Sequence, residues 1–296
     1  MIGLNRSLSR SKLLLKSLRS VKMSHPISTA ACLIIGDEIL NGKIHDTNSY
    51  YFAKYCFNLG IDVRHVAVVP DEEEDIKSKV SELASRYDFI VTSGGIGPTH
   101  DDITYEAIAN AFNLKLELHQ GTVDRMKALS KFNIDPNDPH AEETMKAQLR
   151  MATLPVGPNV EYHYVQQDMW VPIVAIDGKV HILPGIPSIF QRLLEGLKPS
   201  ITTRVAEENQ LARYYVKTAM RESEIAPYLD KLQKTWQSKG IKIGSYPHMK
   251  LRSNTVSIIG PHSLDQNLKS IVKDVESNVN GQEINAEEEA SRTGQE

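Results

Sequence analysis

Thr92-Ser93-Gly94-Gly95-Ile96-Gly97-Pro98-Thr99-His100-Asp101-Asp102 decides how this chain is read. The stretch follows a short apolar segment, Asp88-Phe89-Ile90-Val91, and leads into a helical pattern from Ile103 to Phe112. A strand that opens through glycines into a helix start makes a phosphate cradle. Glycine lets backbone N–H groups approach an anion without a Cβ in the way. The helix start adds unpaired donors and partial positive charge. Two adjacent carboxylates at such a place repel a phosphate unless a metal ion lies between them. The competing reading is a plain glycine-rich β–α turn with Asp102 capping the helix.

Working outward, Ala30–Ile35 is an apolar run of β character that ends at Gly36-Asp37-Glu38. Thr47 is placed to cap a helix over 48–59 that stops at Gly60. A strand follows at 61–69, then a helix over 72–86 with acids in its first turn, then the strand before the glycine loop. Alternating strands and helices predict an α/β fold with a mainly parallel sheet, in which ligands bind at the carboxyl ends of the strands. Gly36-Asp37-Glu38 and the glycine loop both lie at such ends and are expected to face one cleft. Further helical patterns cover 122–132 and 140–151. Strands 171–176 and 179–183 flank Asp177-Gly178, a hairpin signal. The second strand ends in Pro184-Gly185-Ile186-Pro187, a third glycine turn, before a helix over 188–197.

A change of composition over 198–210 marks a boundary, giving a main domain over 27–205. A small α/β module is expected over 206–280, with strands at 211–218, 241–245 and 255–259 and helices at 222–237 and 264–279. Residues 281–296 read as a disordered acidic tail.

The 296 residues are 41% hydrophobic and 24% charged, with net charge −3, the composition of an ordinary globular protein. No stretch is apolar for the roughly 20 residues of a membrane span. Residues 1–26 stand apart. Arg6, Arg10, Lys12, Lys16, Arg19 and Lys22 occur there without an acid, and Leu4, Leu8, Leu15 and Leu18 share one helical face. This is the pattern of a mitochondrial targeting segment. Met23 offers a second start, so a cytoplasmic form is also expected. Removing those six cations from the net charge of −3 leaves −9, a body unsuited to nucleic acid. Cys32 and Cys56 lie in apolar segments and read as small buried hydrophobes.

Four ordered motifs carry a resemblance. They are Gly36-Asp37-Glu38-Ile39-Leu40-x-Gly42, Asp46-Thr47-Asn48, Gly94-Gly95-Ile96-Gly97-Pro98-Thr99-x-Asp101-Asp102-x-Thr104, and Leu183-Pro184-Gly185-Ile186-Pro187. Together they resemble the molybdopterin-binding (MoaB/Mog-like) domain, as found in CinA-type proteins. They resemble still more the molybdopterin-binding-like half of eukaryotic FAD synthases, with which Val69-Pro70-Asp71-Glu72 and Gly244-Ser245-Tyr246-Pro247 also agree. The Gly-Gly-Lys-Asp loop of the FAD-synthesising half has no counterpart, so the first half alone is expected.

The resemblance implies a three-layer MoaB/Mog-like domain that forms a homo-oligomer. It also implies a metal-dependent pyrophosphatase acting on FAD or ADP-ribose, with Mg²⁺, Mn²⁺ or Co²⁺ and stimulation by potassium. The alternative is a molybdopterin or pterin-phosphate binding protein without hydrolysis. Asp101, Asp102 and Asp37 are the candidate metal and catalytic groups. Gly36, Asn48, Ser93, Gly94, Gly95, Gly97, Thr99, Thr104 and Gly185 are the candidate substrate-binding residues. His100 is left out of the site, Leu183-Pro184-Gly185 is read as a wall of the cleft, and Asp71–Asp75 as a solvated helix start.

Overall fold

The computed structural model describes residues 26–129, 140–206 and 210–294. The basic leader and the turn signals at 133–139 lie outside these residues. The chain divides into two compact units, Met1–Phe52 with Val63–Arg204, and Ala53–Asp62 with Val205–Glu296.

The first unit is built on β1 (Thr29–Ile35), β2 (Asp62–Val69) and β3 (Phe89–Ser93), with the first residues of helix α1 (Asn48–Leu59), which from Ala53 onward counts with the second unit, and with helix α2 (Glu73–Arg86). After β3 come α3 (Thr104–Ala111), β4 (Lys115–Leu118), α4 (Gln120–Leu129), α5 (Ala141–Arg150) and β5 (Thr153–Val156). Then follow β6 (Val160–His163), β7 (Ile173–Ile176), β8 (Val180–Leu183) and α6 (Pro187–Thr202). Six strands form one sheet in the order β2-β1-β3-β8-β7-β6. β3 runs parallel to both β1 and β8, while β8, β7 and β6 alternate in direction.

The central strands are buried along almost their whole length, as a sheet covered on both faces requires. On one face Phe89 contacts Phe52 and stands edge-on to His181. Ile76, Val80 and Leu83 of α2 and Ile108 of α3 fill a single core with Leu33, Ile90 and Ile182. The hairpin at Asp177-Gly178 forms with φ of 54° and 61°, both positive as a type I′ turn demands. Strands β4, β5 and β6 escape sequence reading, because each is short and partly exposed, without the uninterrupted buried apolar run that marks β7 and β8 at the same length. The α1 start also differs in detail. Asp46, rather than Thr47, accepts hydrogen bonds from the N–H groups of Asn48 and Ser49.

The second unit contains β9 (Leu211–Thr218), α7 (Glu222–Trp236), β10 (Lys242–His248), β11 (Ser253–Pro261) and α8 (Asp265–Asn278). β12 (Gln282–Ile284) and α9 (Ala286–Thr293) complete it. Its antiparallel sheet has the order β10-β11-β9-β12. Val216, Val256 and Ile258 of the sheet pack on Ile225 and Leu229 of α7 and on Leu268, Ile271 and Val275 of α8.

The expected disordered tail is corrected here over 281–294. β12 pairs with β9, Asn285 caps α9 by accepting the Glu288 N–H at 2.8 Å, and buried Glu289 accepts the Thr255 hydroxyl at 2.7 Å. The acidic composition concealed two anchoring residues, Ile284 and Glu289, which are buried among their neighbours.

The sheet places β1, β3 and β8 side by side, and a glycine follows each within two residues: Gly36, Gly94 and Gly185. A Cβ on Gly94 would lie 2.0 Å from the Ile35 carbonyl oxygen, and Gly94 has φ +115°. Gly94→Ala is therefore expected to cost more than about 3 kcal/mol, through backbone displacement added to a disallowed φ. Gly42 has φ +75°, and a Cβ on it would meet nothing within 4 Å, so Gly42→Ala is expected to cost about 1 kcal/mol. Urea denaturation of the two variants compares them directly. Equal losses would mean that the approach of β1 to β3 is not the constraint it looks to be.

Candidate functional site

At the carboxyl ends of β1, β3 and β8 lies a cleft of about 480 Å³. Gly94, Gly95, Ile96 and Gly97 form its floor, Asn48 and Gly185 one side, and Trp170 and Met151 an apolar wall. A Cβ on Gly185 would lie 3.2 Å from the Gly94 Cα, so Gly185 is a wall pressed against the loop. Gly95 has φ +64°, and a Cβ there would stand 2.2 Å from the Thr104 hydroxyl.

The polar residues predicted around the cradle converge on it, and most of them hold the loop. Buried Asn48 donates from Nδ2 to the Ser93 hydroxyl at 2.9 Å and to the Gly185 carbonyl at 2.7 Å, tying α1 to two strand ends. Thr104, fully buried, donates its hydroxyl to the Gly94 carbonyl at 3.0 Å and its N–H to the Gly95 carbonyl at 3.0 Å. Asp102 does not cap α3, whose start carries no side-chain cap. It turns back to the loop instead. Its Oδ1 accepts the Gly97 N–H at 2.6 Å, and its Oδ2 accepts the Thr99 N–H at 2.9 Å together with the Thr99 hydroxyl. An internal carboxylate thus occupies two of the loop's donors. The Gly95 and Ile96 N–H groups have no hydrogen-bond partner among the described residues and remain for an anion.

Asp37 follows Gly36 and is exposed, as is Asp101. The Thr99 hydroxyl, then its own backbone N–H, then His100 and Arg150 hold Asp101 below the usual carboxylate range. Sequence reasoning passed over Asp71. Its Oδ2 accepts the Asp37 N–H at 3.0 Å, and its Oδ1 would lie 3.5 Å from a Cβ on Gly95. Partial burial raises the Asp71 carboxyl, the Asp37 N–H opposes that rise, and the charges of Glu38, Asp37 and Asp101 add to it. The signal for Asp71 was available, because it follows the end of β2 as Asp37 follows the end of β1. Arg150 and Trp170 were also missed; nothing in their local sequence points to a site.

Of the four carboxylates, Glu38 lines the cleft and Asp71 stands beside Gly95, while the charges of Glu38, Asp37 and Asp101 all act on Asp71. Among the described residues no three His, Cys, Asp or Glu groups stand in metal-ligand geometry. The mutual repulsion felt by Asp71 is what a cation would relieve. Mg²⁺-type sites commonly take one or two carboxylates and complete the shell with phosphate oxygens and water. The donor set fits such an ion.

The clamp has a measurable consequence. In Asp102→Asn one carboxylate oxygen becomes an NH₂ facing a backbone N–H, so one loop bond is replaced by a donor–donor contact. A stability loss of about 1–3 kcal/mol is expected in thermal unfolding. Asp101→Asn, at an exposed position, should remain within about 0.5 kcal/mol of the parent. If the two variants melt together, Asp102 does not hold the loop.

The chain has relatives that match both units. Residues 31–203 match a family described as a probable molybdopterin binding domain, and residues 210–288 match the FAD synthase middle domain. A probable FAD synthase of Caenorhabditis briggsae is 31% identical over 231 residues, covering 75% of this chain and 44% of that protein. A Thermococcus kodakarensis protein is 35% identical over 206 residues, covering 68% of this chain and 79% of its own length. The solved CinA of Thermoplasma acidophilum aligns with a TM-score of 0.50 and 27% identity, covering 59% of this chain and 98% of that one. The chain spans less than half the length of the worm relatives. The match over 31–203 places it, with its mostly parallel sheet and glycine loop, in the molybdopterin-binding (MoaB/Mog-like) domain family, joined here to a FAD synthase middle domain.

Proposed function

We propose that this protein hydrolyses a dinucleotide pyrophosphate, FAD or ADP-ribose, to two monophosphates with the help of a divalent cation. The observation that carries the reading is the pairing of two free loop donors, the Gly95 and Ile96 N–H groups, with the carboxylates of Asp37, Asp71 and Asp101. Relatives named as FAD synthases and the FAD synthase middle domain support a flavin-nucleotide ligand.

The loop N–H groups would bind a phosphate oxygen and orient the phosphorus. Such preorganised donors favour the extra negative charge that develops there in the transition state. Water adds to one phosphorus and the bond from that phosphorus to the bridging oxygen breaks. FAD gives FMN and AMP, while ADP-ribose gives AMP and ribose phosphate. One or two of the carboxylates of Asp37, Asp71 and Asp101 would hold a Mg²⁺, Mn²⁺ or Co²⁺ ion, with phosphate oxygens and water completing its shell, and the ion would supply an ionised water and neutralise phosphate charge. Asp102 acts on the loop rather than on the substrate. The second reading is a pterin-phosphate binder without turnover, favoured by the family description of residues 31–203.

The test is product analysis by chromatography after incubating the protein with FAD, ADP-ribose and each cation. Turnover is expected only with cation present. Asp101→Asn and Asp71→Asn should each lower kcat by on the order of a hundredfold, as expected for groups that hold a catalytic ion, with the far-ultraviolet circular dichroism unchanged. Wild-type rates in both variants would remove the carboxylates from the mechanism. No hydrolysis of any nucleotide, with tight binding of a pterin phosphate, would favour the second reading.

A further inference from the structure

The glycine loop has two faces. One is the floor of the cleft already described. The other borders a second cavity of about 890 Å³. Ile96, Gly97, Pro98 and Asp102 belong to the walls of both. The position assigned to phosphate therefore borders two hollows.

The apolar part of the second hollow is lined by Leu116 and Leu118 of β4, Met145 and Leu149 of α5, and Tyr105 of α3, and its walls also carry Glu106, Glu142, Glu143 and Lys146. Leu118 is 49% and Met145 44% exposed. Apolar side chains that face water inside a concavity gain from an apolar ligand covering them. At the rim, Arg150 donates from Nη1 to the Thr99 carbonyl at 2.6 Å. This fixes its cation at the loop, beside Asp101.

We infer that the second cavity receives the second ring system of a dinucleotide, so that the substrate straddles the loop with its pyrophosphate over residues 94–97. This rests on the hydrolase reading above and narrows it. FAD carries a ring at each end and would fill both hollows, whereas ADP-ribose carries one ring and would fill one. The flavin half is the larger, which assigns it to the cavity of about 890 Å³ rather than the cleft of about 480 Å³. There the dimethylbenzene edge meets Leu116, Leu118 and Met145; a thioether side chain adapts readily to a flat ring. The adenosine half takes the cleft, where Trp170 offers a stacking face.

Met145→Trp fills the second hollow from an exposed helix position. It should lower the ratio of kcat/KM for FAD to that for ADP-ribose at least tenfold. Leu118→Trp, from the opposite wall, should act in the same direction and guards against a folding defect peculiar to one variant. An unchanged ratio in both folded variants overturns the assignment. Riboflavin, which has no phosphate, separates this inference from the hydrolase reading, its binding being followed by flavin fluorescence. Wild-type protein should bind it, Met145→Trp at least tenfold more weakly, and added adenosine should not displace it. If neither nucleotide is hydrolysed, the hydrolase reading falls and the riboflavin titration still decides the subsite. Absence of riboflavin binding, equal binding by the variant, or displacement by adenosine rejects it.

Discussion

The close approach of the ends of β1 and β3 governs the first unit. Gly94 lies so near the Ile35 carbonyl that no side chain fits between them. Parallel pairing of Ile34 with Ser93 and of Ser93 with Leu183 brings the three strand ends level. With the ends level, Gly185 closes on Gly94 from the other side, and Asn48 can reach Ser93 and Gly185 at once. A Cβ at Gly94 would separate the strands, and every contact built on their alignment would lengthen. The site is therefore a product of sheet packing. The loop is held by hydrogen bonds from Thr104 and Asp102, and such restraint lowers the ordering cost of binding.

Charge is the second organising term. Loop N–H groups attract anions, yet this loop has carboxylates beside it. Asp102 resolves part of the conflict internally by taking the Gly97 and Thr99 donors, in the way a bound anion would. Its carboxylate has a structural use that the pairing with Asp101 in the sequence hides. Asp71 accepts only the Asp37 N–H, and its raised carboxyl records its burial and the repulsion of Glu38, Asp37 and Asp101. In such a setting a bare phosphate is repelled. A phosphate accompanied by a cation is not, which links these acids to the metal in the proposed chemistry.

Much of the first unit was legible because its strands are uninterrupted apolar runs ending in glycine. Periodicity finds those directly, and α1, α2 and α3 follow from their apolar spacing, although the caps expected from Thr47 and Asp102 are not the ones used. The hairpin at Asp177-Gly178 was legible because only residues tolerant of positive φ suit it. What stayed hidden depends on distance in sequence. β4 pairs with β5 across 35 or more residues, and nothing in Lys115–Leu118 announces a partner. Glu289 reads as one more solvated acid, yet it is buried against Thr255 of β11. The strand-end positions of the glycines and of Asp37 were readable. That Asp102 turns back to hold the Gly97 and Thr99 donors was not, because adjacent carboxylates differ only in which way the backbone turns them. Asp71 was overlooked because four further acids, Glu72 to Asp75, follow it and gave the run the look of a helix start.

These features together set how a ligand must bind. The loop offers two free donors, and the acids around it oppose phosphate, so the phosphate contributes position more than affinity. Affinity must come from elsewhere in the ligand. An aromatic ring system buries about 150–250 Å², and at about 25 cal/mol per Å² that is roughly 4–6 kcal/mol for each ring. The two hollows that border the loop can supply that term twice for a ligand with rings at both ends. A mononucleotide obtains it once. The architecture thus favours a long ligand that reaches both hollows and holds its phosphates at the one place where backbone donors and carboxylates meet.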